Sequence, residues 1–231
     1  MAPLFVQVPL CFRLLVATAT FRAMDTAGTD ETRVVLRDGS TVVARPIVPG
    51  DREACLATFE RLSEESRYLR FLTPVPRLSE AQVDFLVEVD HHDHEALIAF
   101  ELESGKGVGI ARFVRDETDP AVAEAAVAVA DDWQGRGIGK ALCRLLADRA
   151  REEGIARFDA TLLTRNRNML SVLNAIGPTR VVSTESGTIA VEVSLPEQGI
   201  GEHMTGVLRV VATGGFELAT PPGGTELPPG D

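Results

Sequence analysis

The chain has 231 residues, enough for one domain with extensions or for two small ones. Apolar residues at 45% and charged residues at 25% match ordinary globular usage, which excludes wholesale disorder, collagen and coiled coil. Acidic residues outnumber basic ones 34 to 23, a net charge of −11. The chain therefore lacks the basic excess of a non-specific nucleic-acid binder, and its surface favours amines, polyamines or basic protein tails.

Residues 1–23 carry two arginines and no acid. Their apolar run lacks a basic start and is interrupted by Arg13, so it is too short and broken to span a bilayer. A start taken too early, with Met24 opening the polar segment, is expected over an export signal cut near Ala19. Residues 1–31 are read as a leader, 32–199 as the domain, 200–219 as an amphipathic helix and 220–231 as a Pro/Gly tail.

Within the domain, Thr41–Ile47 alternates as a strand. Asp51–Leu62 is helical with Asp51 as its cap, and a second helix runs through Glu64–Leu72. Ser79 caps Glu80–Val89, with Gln82 as the capping-box partner. Ala96–Leu102 and Val108–Val114 form a hairpin around Ser104–Gly107. Ala121–Ala130 is a fourth strand of small apolar residues holding one acid, Glu124. Gly137–Glu153 is the clearest helix, its apolar residues falling at helical spacing and Gly154 ending it. A strand at Phe158–Leu163, a helix at Asn168–Ile176 and strands at Arg180–Thr184 and Thr188–Leu195 follow. The pattern is an α/β (α+β) domain with a mixed central sheet of six to seven strands flanked by helices.

Between the fourth strand and the long helix lies Gln134-Gly135-Arg136-Gly137-Ile138-Gly139-Lys140. Unpaired N–H groups at a helix start favour an anion, and glycines let it approach the backbone. The spacing fits neither a P-loop nor a dinucleotide fingerprint. It fits Q-x-x-G-x-G, as Gln134, Gly137 and Gly139.

In this loop the chain resembles the GCN5-related N-acetyltransferases, the GNAT superfamily, over roughly residues 40–196. The resemblance implies a pyrophosphate site for acetyl-CoA at Gln134–Lys140. It also implies that Val127, Ala128 and Val129 splay from the next strand toward the pantetheine, with the Val129 N–H polarising the thioester carbonyl. Asn166, opening the helix after the next strand with Gly177 eleven residues on, implies a pantetheine contact; a helix cap would use an Asn there too, and Asn168 competes for either role. Many members carry a tyrosine general acid where this chain has Leu173. The only tyrosine is Tyr68, so the acid is absent.

A neutral amine must attack the thioester, so a base is needed, and Glu124 is the acid on the strand that precedes the loop. The stretch around it, with Ser66–Phe71, resembles the bacterial protein lysine acetyltransferases, in which a glutamate on this strand is the base. Trp133 is expected to pack beside the loop. His91-His92-Asp93-His94 offers at most two ligands on one side of an extended chain and reads as a solvated loop, so no metal is expected; it also leads toward the acceptor cleft.

The expected function is transfer of acetyl from acetyl-CoA, as co-substrate, to a primary amine, either a protein lysine or a small molecule. An acyl-CoA sensor without turnover and a protein for longer acyl groups are the alternatives, the latter decided by pocket size. A homodimer is admitted, no nucleic acid or membrane partner is expected, and any regulation is expected from a partner. Cys11, Cys55 and Cys143 form no CxxC pair, which fits a reduced cytoplasmic setting.

Overall fold

The structure is a computed structural model and describes residues 31–195. The leader up to residue 30, the helix expected at 200–219 and the tail at 220–231 lie outside the described residues.

Eight strands form one sheet: β1 (Thr32–Val35), β2 (Thr41–Pro46), β3 (His94–Glu101), β4 (Gly107–Arg115), β5 (Val122–Val129), β6 (Arg157–Leu163), β7 (Thr179–Glu185) and β8 (Thr188–Ser194). Their spatial order is β1-β2-β3-β4-β5-β6-β8-β7. All neighbours are antiparallel except β5 and β6, which run parallel. The fold is the expected mixed sheet with one strand more. That strand, β1, reads Thr-Arg-Val-Val and is largely exposed, so no burial pattern marks it in the sequence.

Five α-helices cover the sheet: α1 (Arg52–Glu60), α2 (Glu64–Phe71), α3 (Glu80–Val87), α4 (Ile138–Glu152) and α5 (Arg167–Leu173). Ile138, Leu142, Leu146 and Ala150 recur along one side of α4. They bury against Ala111, Phe113, Ala123 and Phe158 on one face of the sheet. The opposite face, with Ala96 and Ile98, packs under α1, α2 and α3 through Cys55, Phe59, Phe71, Leu86 and Val87.

Ser79 caps α3 as expected: its hydroxyl accepts from Gln82 N–H and its own N–H donates to Gln82 Oε1. Asp51 corrects its expectation. It precedes α1 but makes no side-chain cap bond. Its carboxylate instead accepts two 2.7 Å bonds from the Arg45 guanidinium and one from Val48 N–H at 2.9 Å. Burial raises the cost of that charge, and these donors outweigh it, so its pKa lies below the ordinary value.

Helix α1 lies so close to β4 that a Cβ on Gly107 would stand 2.3 Å from Thr58 Oγ1 and 3.2 Å from the Ala54 carbonyl. Gly107→Val is therefore expected to lower the unfolding free energy by about 1–3 kcal/mol through overpacking. Gly50→Ala, where a Cβ meets open space, is expected to stay within about 0.5 kcal/mol. Urea melts of the two variants check this, and equal stabilities would contradict the close contact.

Candidate active site

The parallel pair β5–β6 is joined only at Val122–Arg157, Ala123–Phe158 and Glu124–Asp159. Beyond these positions β5 stays with β4 as far as Val129, and β6 stays with β8 as far as Leu163. Each strand follows its other neighbour, so a wedge opens between them. Ala130 N–H donates to Val108 O. By the alternation of a strand, Ala126 and Ala128 also turn their backbone groups to β4, and Val127 and Val129 turn theirs into the wedge. There the Val129 carbonyl accepts from Gln134 Nε2 at 3.1 Å.

The wedge opens into a cavity of about 390 Å³. Its walls are Ala125–Val129 of β5, Thr161 and Leu162 of β6, Ser66, Leu69 and Arg70 of α2, and Met169, Ser171 and Val172 of α5. Helix α2 is tied to the β5 side of the split, since Gln134 Nε2 also donates to Ser66 Oγ at 3.1 Å. The structure thus brings Val127, Ala128, Val129, Gln134, Gly135, Gly137, Ile138, Gly139, Lys140 and Asn166 to one cavity.

At the far end the glycine loop feeds α4. Gly135 has φ 77° and Gly137, the residue before the helix, has φ 103°; side chains rarely adopt that region. The unpaired N–H groups of the first turn face an end of the cavity lined also by Lys140 and Arg37. Arg37, in the β1–β2 turn, was not anticipated from the sequence. Its N–H reaches the Arg136 carbonyl at 3.4 Å and its Nε lies 3.9 Å from the Cβ position of Gly137. Arg136 does not line the cavity. Its guanidinium stacks 4.4 Å from the buried Trp133 ring and pairs with Asp38 at 3.1 Å.

Asn166 caps α5, its Oδ1 accepting from Met169 N–H at 3.1 Å, and also lines the cavity, as does Asn168. Leu173 is buried in the core, 1% exposed and off the cavity wall. Tyr68 stands under the Arg165 guanidinium at 5.6 Å.

Glu124 sits at the closed end of the wedge, half-buried, in register with Val114 and Asp159. It shares the α1–α3 face with Ala126 and Ala128, just short of the cavity wall. Burial raises the Asp159 carboxyl above its ordinary pKa, against the pull of Arg157 at 2.9 Å.

The histidine loop is not solvated throughout. Strand β3 begins at His94, and His94 and Glu95 are buried. Glu95 accepts from His91, from its neighbour Ala96 N–H and from Arg149, and it does not line the cavity. Among the described residues no group of three His, Cys, Asp or Glu stands ready for a metal ion. The buried Arg112 guanidinium donates to His94 Nε2 at 3.1 Å and to the Leu86 carbonyl at 2.9 Å. Arginine can only donate, so His94 is neutral with its proton on Nδ1.

The wedge, the glycine loop and the helix start form one site, and comparison with known proteins gives the family. Residues 57–177, just over half of the chain, match the model of the acetyltransferase (GNAT) family. The chain belongs to that family. It is 36% identical to acetyltransferase Pat of Mycolicibacterium smegmatis over 71% of its own length, and spans 48% of that relative. It is 35% identical to an acetyltransferase of Pseudomonas aeruginosa, covering 62% of this chain and 77% of that one. The solved GNAT domain of S. lividans PAT superposes with a TM-score of 0.68 at 35% identity, covering 74% of this chain and all of that one. A cAMP-binding acyltransferase from Mycobacterium smegmatis superposes at 0.51 and 30% identity, over 76% of this chain and 52% of its own. Among the described residues no helix is long and apolar enough to cross a membrane.

Burial, then the charges of Arg112 and His91, hold the His94 pKa well below the ordinary 6.5. The unfolded chain protonates this residue first, so its contribution to stability is complete above 6.5 and drains as pH falls through the folded value. His91 is shifted upward, chiefly by its bond to Glu95 and against burial, and contributes with the opposite sign. The deficit of His94→Gln relative to the parent is therefore expected to shrink between about pH 7.5 and about pH 5. Urea denaturation at both values measures it; a deficit that grows on acidification contradicts a neutral buried His94.

Proposed function

We propose that the chain transfers an acetyl group from acetyl-CoA to a primary amine. The carrying observation is the wedge, with the Val127 and Val129 N–H groups at one end and the glycine loop with Lys140 and Arg37 at the other. This arrangement fits a long ligand with an uncharged carbonyl near its head and a polyanion near its tail. When bound, acetyl-CoA supplies an activated acyl group as a thioester.

The chain's own residues do the rest. The Val129 N–H donates to the thioester oxygen, where negative charge grows during attack. The first turn of α4 holds the pyrophosphate. Asn166 and the β5 edge hold the pantetheine extended. Glu124 takes the proton of the incoming ammonium, directly or through one water, because a lysine amine is almost wholly protonated near neutrality. With Leu173 in the place of the family tyrosine, no side chain there protonates the departing sulfur. A thiol with a pKa of about 8.5 leaves tolerably as thiolate. The net acidic chain suits a cationic acceptor, a protein lysine or a small amine.

Acetyl-CoA is expected to raise the melting temperature by mass action, and Gly139→Val to abolish that rise. A Cβ at Gly139 meets only ordinary contacts, Val172 Cγ2 at 3.7 Å and Val129 Cγ2 at 3.8 Å. Loss of binding in a folded variant would therefore be local. An unchanged ligand-induced shift in this variant would remove the loop from the site.

Glu124→Gln is expected to keep acetyl-CoA affinity and to lower turnover by about 10²- to 10⁴-fold, with partial recovery at high pH where more acceptor is neutral. Steady-state kinetics across pH, alongside calorimetric titration of acetyl-CoA, measure both. Full activity of Glu124→Gln at neutral pH would reject the base. Acetyl-CoA binding with no transfer to any protein or amine in a mass-spectrometric screen would leave a sensor instead.

A further inference from the structure

A second, smaller cavity lies beside the wedge, between β4–β5 and helices α1–α3. It shares Leu62, Arg70, Ala126 and Ala128 with the large cavity, so the two meet along the edge of β5. Its volume is about 40 Å³. At about 10–15 Å³ for each water-sized centre, that is room for roughly three non-hydrogen atoms. Most of its wall is apolar: Phe59, Phe71, Leu78, Leu86 and Ile110.

Two guanidinium groups interrupt that wall. Arg112, only 2% exposed, comes from β4 in register with Ala126, and Arg70 comes from α2. Arg112 donates to His94 and to the Leu86 carbonyl, both neutral acceptors, which use two of its five N–H donors. Among the described residues no carboxylate pairs with it, and the charge it feels most is the positive one of Arg70. Burial first, and Arg70 second, push the Arg112 pKa down to about 9. Arg112, a buried cation with donors left over in a chamber with room in it, is arranged for an anion that arrives with the ligand.

Given the proposed acetyl-CoA site, we infer that this chamber receives the distal carboxylate of a short dicarboxylic acyl group, of malonyl size, carried on CoA. The head of the wedge and the chamber share Ala126 and Ala128, whose small side chains leave the path over β5 open. A carboxylate is three non-hydrogen atoms, which matches the space. Transfer then follows the same course as for acetyl. The amine nitrogen bonds to the thioester carbon, the C–S bond breaks with its electron pair going to sulfur, and the amine proton passes to Glu124. The distal carboxylate is unchanged.

The test is calorimetric titration and thermal shift of the full chain with malonyl-CoA, propionyl-CoA and acetyl-CoA. Propionyl-CoA is the short uncharged control. The wild type is expected to bind malonyl-CoA at least tenfold more tightly than propionyl-CoA. That ratio should fall to near one in Arg112→Gln. Should Arg112→Gln fail to fold, as circular dichroism would show, Arg70→Gln, altering the partly exposed arginine of the same chamber, must still reduce the ratio severalfold. Binding of acetyl-CoA with no preference for malonyl-CoA overturns this inference and leaves the acetyl-CoA site standing. A preference retained in every variant that folds overturns the role of the arginines. A stabilisation by β-alanine that Arg112→Gln or Arg70→Gln removes would put the carboxylate on the acceptor, and overturns it too. Failure of all three CoA esters to bind removes the underlying acetyl-CoA site itself.

Discussion

Beyond the Glu124–Asp159 pair, β5 and β6 stop bonding to each other, and the rest of the site depends on that parting. Buried backbone groups need partners, and a parallel pair that opens leaves a row of them exposed along each edge. The fold limits the cost by pairing both strands fully on their other sides. On β5 it also closes the last carbonyl, that of Val129, with the Gln134 amide. On β5 beyond Ala125, what remains turned into the wedge is the Val127 backbone and the Val129 N–H. The same glutamine ties the wedge to α2 through Ser66 and to the loop through Asp131. One side chain thus sets the spacing between strand edge, roof and loop.

The loop was legible in the sequence because its geometry demands particular residues. Gly135 and Gly137 take positive φ, and few other residues do so. Helix α4 and strands β2–β6 and β8 were legible from apolar spacing, because each buries a face. Strand β1 was not: of Thr32–Val35 only Val34 is half-buried against the core, and the strand pairs only with β2. Arg37 was missed for the same reason, since its place over the loop depends on the β1–β2 turn. Asp51 illustrates a different limit. Its position before a helix is correct for a cap, yet Arg45, six residues back, takes its carboxylate, because the strand β2 happens to end beside it. His94 and Glu95 look like part of a polar loop in the sequence. They are buried because the pairing of β3 with β4 extends to His94–Val114, and Arg112 and Arg149 give them partners.

The charges divide the site into parts with different tasks. Positive groups gather at the loop end, through Lys140, Arg37 and the start of α4. Carboxylates gather at the closed end, where Glu124, Asp159 and Glu192 stand in register on neighbouring strands. On the proposed reading, this polarity suits a ligand that is anionic at its tail and an acceptor that is cationic at its head. Leu173 lies apart from both groups of charges, in the apolar core beneath α5. Arg112, with Arg70 beside it, lies outside this polarity. It is held in the apolar layer under α3 by a neutral histidine and a carbonyl.

The central claim is that the β5 edge and the loop hold acetyl-CoA together, head and tail, in the wedge. An amide-resolved NMR titration of the ¹⁵N-labelled protein with acetyl-CoA tests it most directly. The account predicts shifts that saturate together at Val127, Val129, Gly135, Gly137, Gly139 and Lys140, with amides of β7 and the distal end of α4 unmoved. Shifts confined to the loop, with Val127 and Val129 unchanged at saturation, would contradict it.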